Sequence, residues 1–549
     1  MRRNAIFVTA SIVALAWSAL ARAADPAPPN ILFIMSDDHP WSFYGTMRTL
    51  ANSPPSGVSP PLQHPRFALP EDFDTPGLNA LADRGAFFPV GHAGAAFCHP
   101  SFQATLTGLY EKDFLNGRFD RPSGNSPYYI VEHVNAALDR HNRVKSDGPP
   151  VVEYRYRSLG FGKIWTKGSF RNAGFDFGWQ GKGEARGTIT PVLEFLKASG
   201  SPQDAYDTLC GIKRSECPPN ETTRPDPTQP WFVWYAPNIP HYPVDGKERT
   251  RKRVEQPAKC KPGSVTNCIE VPETDPGGAD LAAVLANMKA LDTSEVEGGH
   301  LNYLSNVLLL DYWVKQLLDY VEEHHPNTII VYQADNGYIF PKSKKANGDN
   351  AFRTPIMVSL PGVIDGDAVR SQPVNALDFI PTLVDYATGH TFLHCPAGTS
   401  PIGPPPGGGS AMPFPPITGC SAGQYATCGC FEGESMRPLI SNASATGRQW
   451  LIGMMSDNGS YLRTKDGWRI TRSPNCKFRL YDLQADPDEN DNCFDNSIES
   501  CRGLDYRVQD YAADNCTAAP STLCAQVKEW QCALKQWRNP GGKCTFSCN

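Results

Sequence analysis

The sequence predicts an α/β fold. A large domain with a mainly parallel sheet flanked by helices is followed by a smaller C-terminal α+β domain and a cysteine-rich tail. Three observations carry this prediction. Short, almost wholly apolar runs stand at Asn30–Met35, Trp231–Tyr235, Thr328–Tyr332 and Ile356–Leu360. Runs of that length with no polar alternation suit strands buried on both faces of a sheet. Between the second and third lies a helical pattern over about 301–323, in which Val307, Leu310, Val314, Leu317 and Val321 form one apolar stripe. Strands alternating with helices predict crossover connections and a parallel sheet. Finally, the composition turns to Pro, Gly and Ser near 396–419, which marks a linker.

At 549 residues the chain is long enough for two domains. Residues 1–23 are expected to be an export signal: Arg2 and Arg3 precede an apolar run from Ala5 to Leu20, and Ala21-Arg22-Ala23 is a small-x-small cleavage pattern. The large domain then spans 24–395, the linker 396–419, the smaller domain 420–492 and the tail 493–549. The run at 5–20 is short for a bilayer span, so no membrane span is expected in the mature chain. A secreted, extracellular protein is the expectation, with lysosomal or periplasmic delivery as variants of the same route. A net charge of −6 offers no basic stripe, which sets nucleic-acid partners aside.

The 17 cysteines fit an oxidising compartment and a framework of disulfides. The number is odd, and Cys98 stands far from the rest, so parity nominates it as the unpaired one. Four sequons, at Asn220, Asn442, Asn458 and Asn515, are compatible with a glycoprotein.

Position singles out the polar residues at the strand ends. Asp37 and Asp38 follow the first apolar run, and Asp335 and Asn336 follow the third. In open α/β sheets ligands bind outside the carboxyl ends of the strands. Two pairs of hard oxygen donors remote in sequence are thus placed where they can converge on Ca²⁺, or on Mg²⁺. Taken singly, each pair also reads as ordinary turn or cap chemistry.

Ala96–Gly108, AlaPheCysHisProSerPheGlnAlaThrLeuThrGly, resembles the sulfatase motif Cys-x-Pro-Ser-Arg followed by Leu-Thr-Gly. Further elements match in family order: ProAsnIleLeuPheIleMetSerAspAsp, the Thr75–Gly85 segment, GlyLysIleTrp at 162–165, a ProHis ending at His241, GlnAlaAspAsnGly, and LeuTyrAspLeuGlnAlaAspPro. Together they span about Pro29 to Pro487. The resemblance is to formylglycine-dependent sulfatases of the alkaline phosphatase superfamily.

That resemblance implies a hydrolase of sulfate esters. Cys98 would be oxidised to formylglycine by a formylglycine-generating enzyme, and its hydrated aldehyde would attack sulfur. Asp37, Asp38, Asp335 and Asn336, with the modified Cys98, would hold the metal. Lys163, His241 and Lys344 would contact the sulfate group, with Lys345 the neighbouring alternative to Lys344. The substrate would be a sulfated small molecule or polysaccharide. Pro100 suits the first turn of a helix, which would put Cys98 at an anion-favouring N-terminus.

Two positions depart from the family pattern. Phe102 stands where the motif has arginine, and Trp165-Thr166 replaces a histidine expected after Lys163. A phenyl ring supplies neither charge nor donors. These departures also admit a degenerate sulfatase-like protein that binds sulfated glycans without turnover. A related metal-dependent phosphoesterase is a further alternative, against which a cysteine at position 98 argues.

Overall fold

The structure is a computed structural model. It describes residues 27–54, 62–64, 73–110, 129–144, 154–164, 170–179, 189–198, 229–241, 300–338, 342–389, 433–455, 459–475 and 477–494, with short pieces of 526–534. The expected export signal, the expected Pro/Gly linker and most of the cysteine-rich tail lie outside the described residues.

The first apolar run forms strand β1, Asn30–Ser36. The large sheet adds β2 (Ala86–Phe88), β4 (Arg157–Gly162), β5 (Phe177–Trp179), β6 (Trp231–Ala236), β7 (Thr328–Ala334), β8 (Ile356–Ser359) and β9 (Ala368–Val369). A short pair, β3 (Gly91–His92) and β10 (Val374–Asn375), stands apart from it. The eight-stranded order is β5-β4-β6-β1-β7-β8-β2-β9. From β5 to β7 every pairing is parallel.

Both faces of β1 are covered, which explains its unbroken apolar run. Leu32 and Ile34 pack into a cluster with Val307, Leu310, Val314, Leu317 and Val321 of the helix His300–His324. Ile31, Phe33 and Met35 pack on the opposite side with Val134 and Leu138 of the helix Ile130–Val144, and with Phe379 and Leu383 of the helix Phe379–Thr388. Phe33 stacks on Trp234 at 4.7 Å. The chain therefore builds a three-layer sandwich with the sheet as its middle layer.

The fourth apolar run differs from the sequence-based expectation in one respect. β8 is buried, but it runs antiparallel to both β7 and β2. Burial on two faces produces the same apolar run whichever way the strand points, so strand direction was not readable from it.

β4 and β5 escaped the apolar-run criterion for a physical reason. Their glycines leave room for Phe170. A Cβ at Gly160 would meet the Phe170 ring at 2.0 Å, and one at Gly178 would meet Phe170 Cβ at 2.0 Å. These strands are glycine-bearing because an aromatic ring lies directly over them.

The C-terminal unit is an antiparallel sheet of β11 (Trp450–Met454), β12 (Ser460–Thr464), β13 (Trp468–Arg472) and β14 (Phe478–Asp482). Leu462, Trp468, Ile470 and Leu480 form its apolar side, with Cys493, Val527, Trp530 and Leu534 packed against them. Residues of the tail thus supply part of the cover for this sheet. Cys493 is disulfide-bonded. No helix among the described residues is long and apolar enough to cross a membrane.

Candidate active site

Strand register brings the site together. Ser36 of β1 pairs with Ala334 of β7, so Asp37 and Asp335 leave the sheet side by side. Gly162 of β4 pairs with Ala236 of β6, and the Lys163 amide donates to the Ala236 carbonyl at 2.7 Å. His241 follows β6, and the Asp37 amide donates to the carbonyl of Ile239 at 3.0 Å, which holds that loop beside β1. Four adjacent parallel strands therefore deliver Lys163, His241, Asp37-Asp38 and Asp335-Asn336 to one edge, where α/β sheets bind ligands.

Cys98 arrives from the other direction, as the first residue of the helix Cys98–Thr107, with Pro100 in its first turn. Gly108 closes the helix in the left-handed conformation, at φ 66°. The Cys98 thiol lies 3.5 Å from Asp37 Oδ1 and 3.8 Å from Asp38 Oδ1. It is the free cysteine among the described residues. Ligand atoms of Asp37, Asp38, Cys98 and Asp335 all lie within 4.8 Å of one another.

The acidic side chains are fully buried and the basic ones are not. Lys163 Nζ lies 2.5 Å from Asp37 Oδ1 and 3.5 Å from Asp335 Oδ2. Lys344 Nζ lies 2.7 Å from Asp38 Oδ2, and His241 Nε2 lies 3.5 Å from the same oxygen. Lys163, Lys344 and His241 keep 13%, 18% and 26% of their side-chain surface exposed, against 0% for the aspartates they touch. The three bases thus form the accessible rim of an acidic floor. Asp37, Asp38, Cys98, Lys163, His241, Asp335, Asn336 and Lys344 all lie together here. Lys345, the alternative to Lys344, is exposed, and its backbone amide donates to the carbonyl of Ala96.

Burial and crowding set the protonation of the floor. Burial pushes the Asp335 carboxyl up to about 8, with the charge of Asp37 adding to it. Asp38 is raised for the same two reasons. Burial also acts on Asp37, but Lys163, His241 and Lys344 outweigh it and hold that carboxyl below the usual range. Burial, followed by the charges of Asp335 and Asp37, pushes the Cys98 thiol far up.

The donor set fits a hard divalent cation. Three buried carboxylates share a space in which two of them resist ionisation, and a divalent ion would relieve that repulsion. Two buried oxygens, Asp37 Oδ2 and Asn336 Oδ1, have no hydrogen-bond donor among the described residues. An unsatisfied buried oxygen is costly unless something coordinates it. Asn336 is held in place by its amide nitrogen, which donates to Asp38 Oδ1 at 2.7 Å and to the Gly337 carbonyl at 2.8 Å. Asp38 itself takes a left-handed backbone conformation at φ 62°, and its amide donates to Asp335 Oδ1 at 2.9 Å. Non-glycine residues adopt that conformation chiefly where surrounding contacts impose it.

Phe102 lies in the core beneath this rim. It is fully buried, its ring centroid is 6.0 Å from that of Trp234, and Lys163 Nζ stands 5.4 Å from the ring. The space of the motif arginine is therefore filled by packed carbon. The two histidines nearest Cys98 in sequence make contacts of their own. His92 is buried, with Nδ1 3.1 Å from the Tyr461 hydroxyl, and His99 hydrogen-bonds Gln103 on its own helix.

Comparison with known proteins finds similarity to sulfatases. A family model described as Sulfatase matches residues 220–390, the stretch that carries His241, Asp335, Asn336 and Lys344. An N-acetylglucosamine-6-O-sulfatase of Bacteroides thetaiotaomicron is 24% identical over 212 residues, 35% of this chain and 31% of that protein. An ulvan-active sulfatase of Formosa agariphila is 21% identical over 388 residues, 67% of this chain and 55% of that protein. The chain thus spans about a third and about half of the lengths of these two relatives.

Among solved structures, one in complex with its substrate D-glucosamine-2-N,6-O-disulfate superposes with a TM-score of 0.51 at 15% identity. The superposition covers 94% of this chain and 100% of that one. A second, from work on the metabolism of multiple glycosaminoglycans by Bacteroides thetaiotaomicron, gives a TM-score of 0.50 at 14% identity, covering 85% and 92%. Fold and strand-end site together define an α/β protein with a candidate ligand site at the carboxyl ends of its parallel strands. Within that class, the chain is similar to sulfatases, through the family model over 220–390 and the two relatives above.

Proposed function

We propose that this protein is a secreted sulfuric ester hydrolase that acts on sulfated carbohydrate, using Ca²⁺ and a formylglycine made from Cys98. The observation that carries the reading is the layered charge of the site. Asp37, Asp38 and Asp335 form a floor of three carboxylates, against the two ammonium groups of Lys163 and Lys344. If all are ionised, the balance is −1 and repels a sulfate monoester. A divalent ion reverses it to +1, so metal and anionic substrate belong to one electrostatic design.

Asp37, Asp38, Asp335 and Asn336 would hold the ion, with Mg²⁺ as the hard-ion alternative to Ca²⁺. Bound there, it would supply Lewis-acid polarisation of a sulfate oxygen. Lys163, Lys344 and His241 would hold the remaining sulfate oxygens and offset the charge that develops as the ester bond breaks. The side chain at position 98, once converted by a formylglycine-generating enzyme, would present its hydroxyl at a helix N-terminus, where backbone N–H groups favour an anion. Sulfated carbohydrate is the favoured substrate class because both curated relatives are named for it, one for N-acetylglucosamine and one for ulvan.

One observation favours a second reading, a binder of sulfated glycans without turnover. Phe102 is fully buried where the motif has an arginine that the modifying enzyme reads. The mass of the Cys98 peptide separates the two readings, measured after co-expression with a formylglycine-generating enzyme and alongside sulfate release from N-acetylglucosamine-6-sulfate and ulvan oligosaccharides. Formylglycine at position 98 with Ca²⁺-dependent release, abolished in Cys98→Ala, supports hydrolysis. An intact thiol, no release and retained glycan binding would move the assignment to the second reading.

A further inference from the structure

We infer that Glu489, on the C-terminal unit, is a positioning residue that acts through Lys344; the inference rests on the proposed sulfate-binding role of that lysine. Lys344 lies in the segment 342–349, between β7 and the short helix Asp349–Phe352. Little regular structure holds this segment, yet Lys344 Nζ is fixed 2.7 Å from Asp38 Oδ2. The constraint comes largely from outside the α/β domain. Glu489 Oε2 accepts from the Asp349 amide at 2.8 Å, and the Glu489 carbonyl accepts from Lys342 Nζ. Both ends of the segment are thus tied to one residue.

The tie is itself braced. Arg469, on β13, donates from Nη1 to Glu489 Oε1 and from Nη2 to the Asn347 carbonyl. Glu489 and Arg469 are 3% and 1% exposed, so these charge-assisted bonds form away from water, where they are strongest. Two backbone features show that the close approach is built in. Glu489 adopts φ 55°, an uncommon conformation for a residue with a Cβ. A side chain at Gly348 would put its Cβ 2.6 Å from Glu489 Oε2 and 2.8 Å from Lys342 Cβ, so the contact admits only glycine there. On the opposite side, the Lys345 amide donates to the carbonyl of Ala96, two residues before Cys98. Lys344 is therefore held between the Cys98 helix and the C-terminal sheet, and Glu489 carries the second of these attachments.

The test uses the full chain with Ca²⁺, Glu489→Gln as the main variant and Lys342→Met as a second. Lys342 is an exposed residue whose replacement leaves the buried Glu489–Arg469 pair intact, so folding is not at stake. Amide hydrogen exchange over 342–349 should speed up about tenfold or more in both, with β11–β14 unchanged, as expected for losing a charge-assisted bond. Unchanged exchange over 342–349 overturns the inference. Binding of inorganic sulfate should weaken roughly tenfold in Glu489→Gln, and by less than about twofold when Lys344→Ala is already present. An equal loss in both backgrounds would make Glu489 a general structural residue and overturn its action through Lys344. A wild-type protein that binds no sulfate would count against the proposed function, and hydrogen exchange would still decide the positioning.

Discussion

Replacing Phe102 with arginine tests how far the molecule has committed to its departure from the family motif. If the pocket still had room for the motif residue, Phe102→Arg would restore a guanidinium and raise activity. The structure predicts a different outcome. The ring is fully buried against Trp234, and losing that burial costs about 2–3 kcal/mol. A guanidinium at the ring position would lie close to the 5.4 Å that now separates Lys163 Nζ from the ring. At an effective dielectric of about 20, two like charges at that distance repel by about 3 kcal/mol. Before the opposing attraction of Asp37 is counted, the two effects sum to an upper bound of about 5–6 kcal/mol, comparable with the whole stability of an ordinary domain. Relief requires the guanidinium to reach Asp37 or Asp335, which would displace Lys163 from them. Urea denaturation of metal-free protein should therefore show a large drop in midpoint for Phe102→Arg. Phe102→Leu, which keeps most of the apolar volume, should lose less than about 1.5 kcal/mol. A Phe102→Arg protein with an unchanged midpoint and increased sulfate release would refute this reasoning.

Two further outcomes follow from buried charge elsewhere. Asp37→Ala and Asp335→Ala should each abolish Ca²⁺ binding, and with it the stabilisation of about 2.7 kcal/mol expected at a hundredfold excess over Kd; metal analysis finding full occupancy in both would remove the metal assignment. Burial pushes the His92 imidazole down to about 4, so the folded protein keeps it neutral while the unfolded chain protonates it near 6.5. Between those values the unfolded state binds the extra proton. Stability should thus fall as pH drops from 6.5, by about 2 kcal/mol at pH 5 from this group. His92→Gln should flatten that part of the urea-midpoint profile, and identical profiles for the two proteins would count against it.

Much of the site was legible because strand ends are legible. A continuous apolar run such as Ile31–Met35 can be buried on both faces only within a covered sheet, so the polar residues after it must emerge at an edge. Asp37, Asp38, Asp335 and Asn336 were found in this way. The matched motifs then supplied Cys98, Lys163, His241 and Lys344.

What only the tertiary structure decided are relations between residues far apart in the chain. Asp38 and Asp335 are 297 positions apart, yet their contact depends on the register of β1 with β7, which no local pattern encodes. The direction of β8 was hidden because burial looks the same for parallel and antiparallel strands. Phe102 read simply as a missing arginine. Its meaning came from Trp234 and Lys163, which fill and cover the space around it. Glu489 gave no sign of acting on a loop 147 residues earlier, because its carboxylate and carbonyl meet Asp349 and Lys342 only once the C-terminal sheet has docked. Sequence fixes local hydrophobicity and hydrogen-bonding capacity, and packing decides which distant groups share a desolvated space. In such a space charge and hydrogen-bond energies are largest.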